Sequence, residues 1–411
     1  MFGFSRRFVP ILMGVGLAFG TACETGASVA NAVGANHLGV LWPGSQMEFS
    51  GGWVRPHPGP FIWGLVERDP GDYNWREPDL TVRRLQGQQL AILVTVWPFA
   101  SWDQKACHTA QARASGAFRE FGNLLYMPCD LDAYLAWITA AVERYDGDGV
   151  DDMPGLAYPI RHWEILNEPE MQGPELCFFQ ETPSVYAELL ASSYDAVKAP
   201  DPTAVVLPAG QSGMHWEATD YWRPILVDPR VRFDLANVHS IRCSDIQEDG
   251  AFWAAEYTQF LVTSGRGGAP YWITEAQVGR IDRGGNSEED RDARDLFIGT
   301  VVAFGEGADV IFHVLANDPR GEKDRRALET FNLLGRTIGE FESAERMTSS
   351  SVRFAMRDGH QVYALWDDAK LPDEVSDVVK VSTYLGEDYS TDARGVAAAV
   401  PLLVRTLRVN E

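Results

Sequence analysis

Two acidic residues close segments that read as buried strands, His162-Trp163-Glu164-Ile165-Leu166-Asn167-Glu168-Pro169 and Tyr271-Trp272-Ile273-Thr274-Glu275-Ala276. A carboxyl that ends an apolar run stands at the rim of a core. There, partial burial and a like-charged neighbour keep one of two carboxyls protonated near neutral pH. Such a pair can serve as general acid and nucleophile, and cleavage of a glycosidic bond with retention uses it with the groups about 5 to 5.5 Å apart. Glu168 and Glu275 are 107 positions apart (275 − 168), so only the fold can bring them together.

The elements that must do so alternate. Eight short β-branched or apolar runs, 37–41, 53–55, 90–96, 161–167, 204–207, 235–241, 271–275 and 309–315, are separated by helical stretches at 79–88, 131–145, 183–199, 251–263, 288–304 and 325–341. Capping signals support several helix starts: Asp130, Thr182-Pro183 and Asn286-Ser287-Glu288-Glu289. This alternation predicts an α/β fold, a (β/α)8 TIM barrel over residues 33–345, in which reactive groups gather at the C-terminal ends of the strands. The fourth and seventh strands, which carry Glu168 and Glu275, face each other across such a barrel. A doubly wound sheet would carry a Gly-rich phosphate turn after its first strand, and Gly39-Val40-Leu41-Trp42-Pro43 is not one. Strand-like runs at 352–356, 361–366, 378–384 and 401–409, divided by turns such as Arg357-Asp358-Gly359, predict a small antiparallel β module over 346–411.

Asn167-Glu168-Pro169 and Trp272-Ile273-Thr274-Glu275, each ending a strand, resemble the signature of the clan A retaining glycoside hydrolases. The resemblance covers roughly residues 36–345, and Gly71-Asp72-Tyr73-Asn74-Trp75 with Asp79 is similar to families 39 and 5. It implies that Glu168 is the acid/base, Glu275 the nucleophile and Asn167 the donor to the substrate 2-hydroxyl. Arg55, ending the second strand, resembles the clan arginine that holds the nucleophile ionised; the alternative is a structural ion pair, for instance to Glu164. His239 ends strand six, where the clan often has a Tyr two positions on, and here that position is Ile241. His239 is then a sugar or carboxylate contact, or a satisfied core histidine. Strand eight, where the clan usually presents a Trp platform, offers His313 or Phe312. Trp63, Trp97, Trp102 and Trp216 sit in or beside loops where they could stack on sugars or fill core.

Long excursions at 101–127 and 170–182 follow strands three and four, and loops there commonly wall a cleft, which favours several sugar units over one. Residues 1–32 read as an export segment: Arg6 and Arg7 precede an apolar stretch from Phe8 to Phe19 that is short for a mature membrane helix. Gly20-Thr21-Ala22-Cys23 resembles a lipobox, and Ala30-Asn31-Ala32 is the competing cleavage site. The expected location is an envelope or periplasmic lipoprotein, or a secreted protein, with any membrane anchoring through lipidated Cys23. Four further cysteines, Cys107, Cys129, Cys177 and Cys243, allow three disulfide pairings, and nearest-neighbour pairing would join Cys107 to Cys129 and Cys177 to Cys243. No C-x-x-C spacing supports zinc.

A formal net charge of −23 disfavours nucleic acid as a partner, whereas 13 Trp provide aromatic faces suited to sugar rings. There is no H-E-x-x-H, G-x-S-x-G, phosphate-binding loop or aspartate-rich calcium loop. No cofactor is needed for the two-carboxylate chemistry, and no metal is assigned. The expected function is a retaining glycoside hydrolase acting on β-linked oligo- or polysaccharides, endo-acting. The alternatives are a barrel that binds carbohydrate without cleaving it and a purely structural lipoprotein.

Overall fold

A computed structural model describes residues 33–41, 49–109, 125–173, 176–241, 251–278, 289–315, 325–375, 378–396 and 398–406. The export segment with Cys23, and also Cys243, lie outside the described residues. In chain order the strands are β1 (Leu38–Leu41), β2 (Trp53–Arg55), the hairpin β3 (Glu67–Asp69) and β4 (Asp72–Tyr73), β5 (Ala91–Val96), β6 (His162–Ile165), β7 (Val205–Pro208), β8 (Ala236–Ser240), β9 (Tyr271–Ala276) and β10 (Ala308–His313). Apart from the hairpin they form one parallel sheet in the order β7-β6-β5-β2-β1-β10-β9-β8. A parallel bridge between Gln211 and Val238 joins the β7/β8 seam, so the sheet is the (β/α)8 barrel that the alternation predicts.

The helices are α1 (Trp63–Val66), α2 (Arg76–Gln86), α3 (Ser101–Cys107), α4 (Leu131–Tyr145), α5 (Pro183–Lys198), α6 (Trp216–Val227), α7 (Ala254–Thr263), α8 (Glu289–Gly305) and α9 (Arg325–Thr337). Helix α4 starts where Asp130 accepts the Ala133 amide at 2.9 Å, and it buries Tyr134, Trp137, Ile138, Ala141, Val142 and Tyr145, a single face at helical spacing. Helix α5 opens on Pro183, whose missing N–H costs nothing in the first turn. Helix α6 is absent from the sequence reading because Pro224 sits inside it.

The barrel interior is built in layers, since alternate strand residues point to the same face. Trp53, Leu93, Leu207, Trp272, Val310 and Phe312 form the lowest cluster, with His162 stacked on Trp272 at 4.8 Å between ring centroids. Two residues further along their strands Arg55, Thr95, Glu164 and Thr274 form a polar layer, joined by Asn237 of β8 and fully or almost fully buried. The next positions toward the strand ends bring in Asn167, Glu168, His239 and Glu275.

Six strands make the C-terminal antiparallel sheet: β11 (Phe341–Thr348), β12 (Ser351–Met356), β13 (Gln361–Leu365), β14 (Val378–Thr383), β15 (Asp388–Asp392) and β16 (Leu402–Thr406), in the order β11-β12-β13-β16-β14-β15. It begins at Phe341, inside the stretch the sequence reading gives to the last barrel helix. Phe341 and Phe354 pack on Phe304 of α8, with ring centroids 4.9 and 6.4 Å away.

Candidate active site

Arg55 ties the polar layer to the layer above it. Its Nε donates to Glu164 Oε2 at 2.8 Å, Nη1 to Glu275 Oε1 at 2.6 Å and Nη2 to Asn167 Oδ1 at 2.7 Å. The planar fork reaches Glu164 and Glu275 at once. Burial works against its charge, but Glu164 and Glu275 outweigh burial and raise its pKa. Glu164 also accepts from Thr95 Oγ1 at 2.7 Å and from Asn237 Nδ2 at 2.5 Å.

These bonds set a direction that ends on Glu168. Because Asn237 gives its Nδ2 to Glu164, its Oδ1 faces Thr274, whose hydroxyl donates to it at 2.6 Å. Having spent its single hydrogen, Thr274 Oγ1 must accept from His239 Nε2 at 2.9 Å. Burial pushes the His239 pKa down to about 4, so the ring is neutral, and a neutral ring protonated on Nε2 has only a lone pair at Nδ1. Nδ1 lies 2.8 Å from Glu168 Oε1, a contact in which a ring in this tautomer is the acceptor.

Glu168, His239 and Glu275 each place one side-chain ligand atom within 4.8 Å of those of the other two. Burial pushes the Glu275 carboxyl up, and His239 and Arg55 work the other way. The two carboxyls thus meet different partners, one an imidazole and the other a guanidinium. The chain turns sharply to present the first: Leu166 and Glu168 have φ of +74° and +36°, a strained setting for residues with a Cβ, of the kind concentrated at functional sites. The three groups have the spacing of a metal centre, but the guanidinium already bonded to Glu275 opposes a second cation there. Cys107, His108 and Cys129 also cluster, but the two cysteines are joined as a disulfide.

The other candidates fall elsewhere. Trp63 and Trp97 are fully buried, their indoles donating to Glu67 Oε2 and to Pro58 O, so they are core rather than stacking platforms. Trp102 packs edge-on against Trp63 with its indole on Glu67 O. His313 is a second correction: it points out of the barrel onto Thr300 Oγ1 of α8 at 3.0 Å, between Phe252 and Phe331, and burial pushes its pKa to about 3. Phe312, its neighbour, fills the lowest interior cluster. Trp216 is 70% exposed at the start of α6. Cys107 is bonded to Cys129, whereas Cys177 is a buried free thiol, so the second expected staple is not present at that residue.

Sequence reasoning missed Asn237, Thr274 and Gly210. A Cβ at Gly210 would overlap the His239 ring, so only glycine lets the imidazole reach both partners. The alternation of Asn237 and His239 along β8 was the available signal for Asn237.

No protein-family model and no curated sequence matches the chain. Among solved structures its fold is similar to that of several glycosidases. A glucosidase from Croceicoccus marinus superposes with a TM-score of 0.62 at 14% identity, over 92% of this chain and 96% of that one. An α-L-arabinofuranosidase from Thermotoga maritima gives 0.59 at 10% identity, over 91% and 97%. The GH39 enzyme from Xanthomonas axonopodis pv. citri gives 0.54 at 13%, over 86% and 87%. At these identities the likeness is one of fold.

Proposed function

We propose that the chain is an exported retaining glycoside hydrolase that cleaves β-linked glycans by double displacement and acts within a polysaccharide. Glu168 gives its proton to the leaving oxygen while Glu275 attacks the anomeric carbon, and the C–O bond to the leaving sugar breaks as the glycosyl-enzyme ester forms. Glu168, now ionised, takes a proton from water, whose oxygen displaces Glu275 and restores both groups. The observation that carries this reading is the meeting of Glu168 and Glu275 within 4.8 Å, the first bonded to neutral His239 and the second to Arg55. Asn167, held by Arg55, is the donor proposed for the substrate 2-hydroxyl. Export is supported by the Cys107–Cys129 disulfide, a bond that persists in oxidising compartments. That bond closes part of the excursion after β5, which supports a walled cleft and endo action.

The test is hydrolysis of a panel of aryl β-glycosides and β-linked polysaccharides by wild type, Glu168→Gln and Glu275→Gln, with anomeric configuration followed by NMR. The expected result is product of retained configuration from wild type and a loss of at least about 10³-fold in Glu275→Gln. Oligosaccharide binding without turnover would favour a binding-only barrel instead. That alternative is motivated by the absence of an aromatic platform at His313.

A further inference from the structure

At the opposite end of the barrel from Glu168 and Glu275, helix α4 runs into Asp146-Gly147-Asp148-Gly149-Val150-Asp151-Asp152. Carboxylate oxygens of Glu143, Asp146 and Asp148 lie within 4.8 Å of one another. Acidic clusters on a surface are common, and a second feature sets this one apart. Asp146 is only 6% exposed, and its Oδ2 is sealed from solvent with no hydrogen-bond partner. Its Oδ1 accepts the Asp148 amide at 3.1 Å. A buried carboxylate oxygen without a donor is unfavourable unless a proton or a cation meets it.

Among the described residues the nearby cations are engaged elsewhere. Arg144, two residues before Asp146, is committed to Asp79 at 2.7 Å, and Arg161 pairs with Asp201. Among the described residues no Lys or Arg pairs with Glu143, Asp146 or Asp148. The carboxylates of Glu143, Asp146 and Asp148 crowd negative charge into one place. The partial negative charge at the C-terminus of α4 adds to the same field.

We propose that Asp146, Asp148 and Glu143 bind a calcium ion that fastens the end of α4 to the loop leading into β6. The donors are all oxygen, which selects a hard cation, and exposed Asp148 leaves room for the waters that complete six to eight ligands around calcium. The loop departs from the familiar helix–loop–helix calcium pattern: Val150 stands at the fifth position, Asp151 at the sixth and Ala157 at the twelfth. This is why the sequence reading found no calcium loop. The ion is structural and independent of the hydrolytic reading.

The test uses the full chain freed of metal with a chelator. Terbium emission sensitised by neighbouring Tyr145 should appear and be displaced by calcium, and 1 mM calcium should raise Tm by several degrees. Asp146→Asn and Asp148→Asn should each lose both effects. Asp148 is exposed, so its variant keeps the test valid if Asp146→Asn folds poorly. Absence of both signals in wild type, their persistence in Asp148→Asn, or an equal Tm rise with magnesium would overturn the assignment.

Discussion

A neutral imidazole has one donor and one acceptor, and at His239 Thr274 makes the choice between them. Removing the hydroxyl would free the ring to turn its hydrogen toward Glu168, where a donated N–H favours the ionised carboxylate and so lowers its pKa. Thr274→Val is therefore expected to move the alkaline limb of the kcat/KM profile to lower pH. It should also reduce kcat roughly tenfold, about 1.4 kcal/mol, with KM little changed. Thr274→Ser should restore both. A pH profile of Thr274→Val that overlays wild type would show that the relay does not set the proton.

The elements position these groups through strand alternation and one glycine. His239 reaches Glu168 and Thr274 only because Gly210, just past β7, has no side chain. Gly210→Ala should cost about 1–3 kcal/mol of stability by overpacking and a larger share of activity, read by thermal melts alongside kinetics. Much of this scale was legible in the sequence. All eight barrel strands lie within two residues of the predicted runs, and α4 matches at both ends, because β-branched runs and capped apolar faces are local signals. Where a local signal was missing or misleading the reading failed. Pro224 concealed α6, and β11 presents Glu342, Glu345 and Met347 to solvent, so it lacks the alternation that marks a strand. The site divided in the same way. Asn167, Glu168, Arg55, His239 and Glu275 stand at or near strand ends and the structure gathers them. Which face His313, Trp63 and Trp97 take depends on the closed barrel, and each turned into core.

Across the whole molecule, burial of neutral histidines dictates how stability depends on pH. Burial pushes His162 and His239 to about 4 and His313 to about 3, against an ordinary value near 6.5. The unfolded chain binds protons at these sites first, so their stabilising contribution is complete above about pH 6.5 and is lost as pH falls toward 4. Glu170 works oppositely: burial pushes it up to about 7, so its contribution is lost as pH rises through 7. His57 is lowered as well, and the large downward shifts of these four buried histidines outweigh the raised carboxyls of Glu170, Glu275 and Asp309, so Tm should fall from pH 6.5 to 4. A flat melting profile across that interval would contradict the burial of neutral histidines.

The division of labour between Glu168 and Glu275 is tested most directly by azide rescue of Glu168→Ala and Glu275→Ala on an activated aryl β-glycoside that wild type hydrolyses. With the acid/base removed, azide should intercept the glycosyl-enzyme and give the β-glycosyl azide. With the nucleophile removed, azide should enter from the vacated face and give the α-glycosyl azide. The same anomer from both variants, or near wild-type hydrolysis without azide, would contradict the assignment.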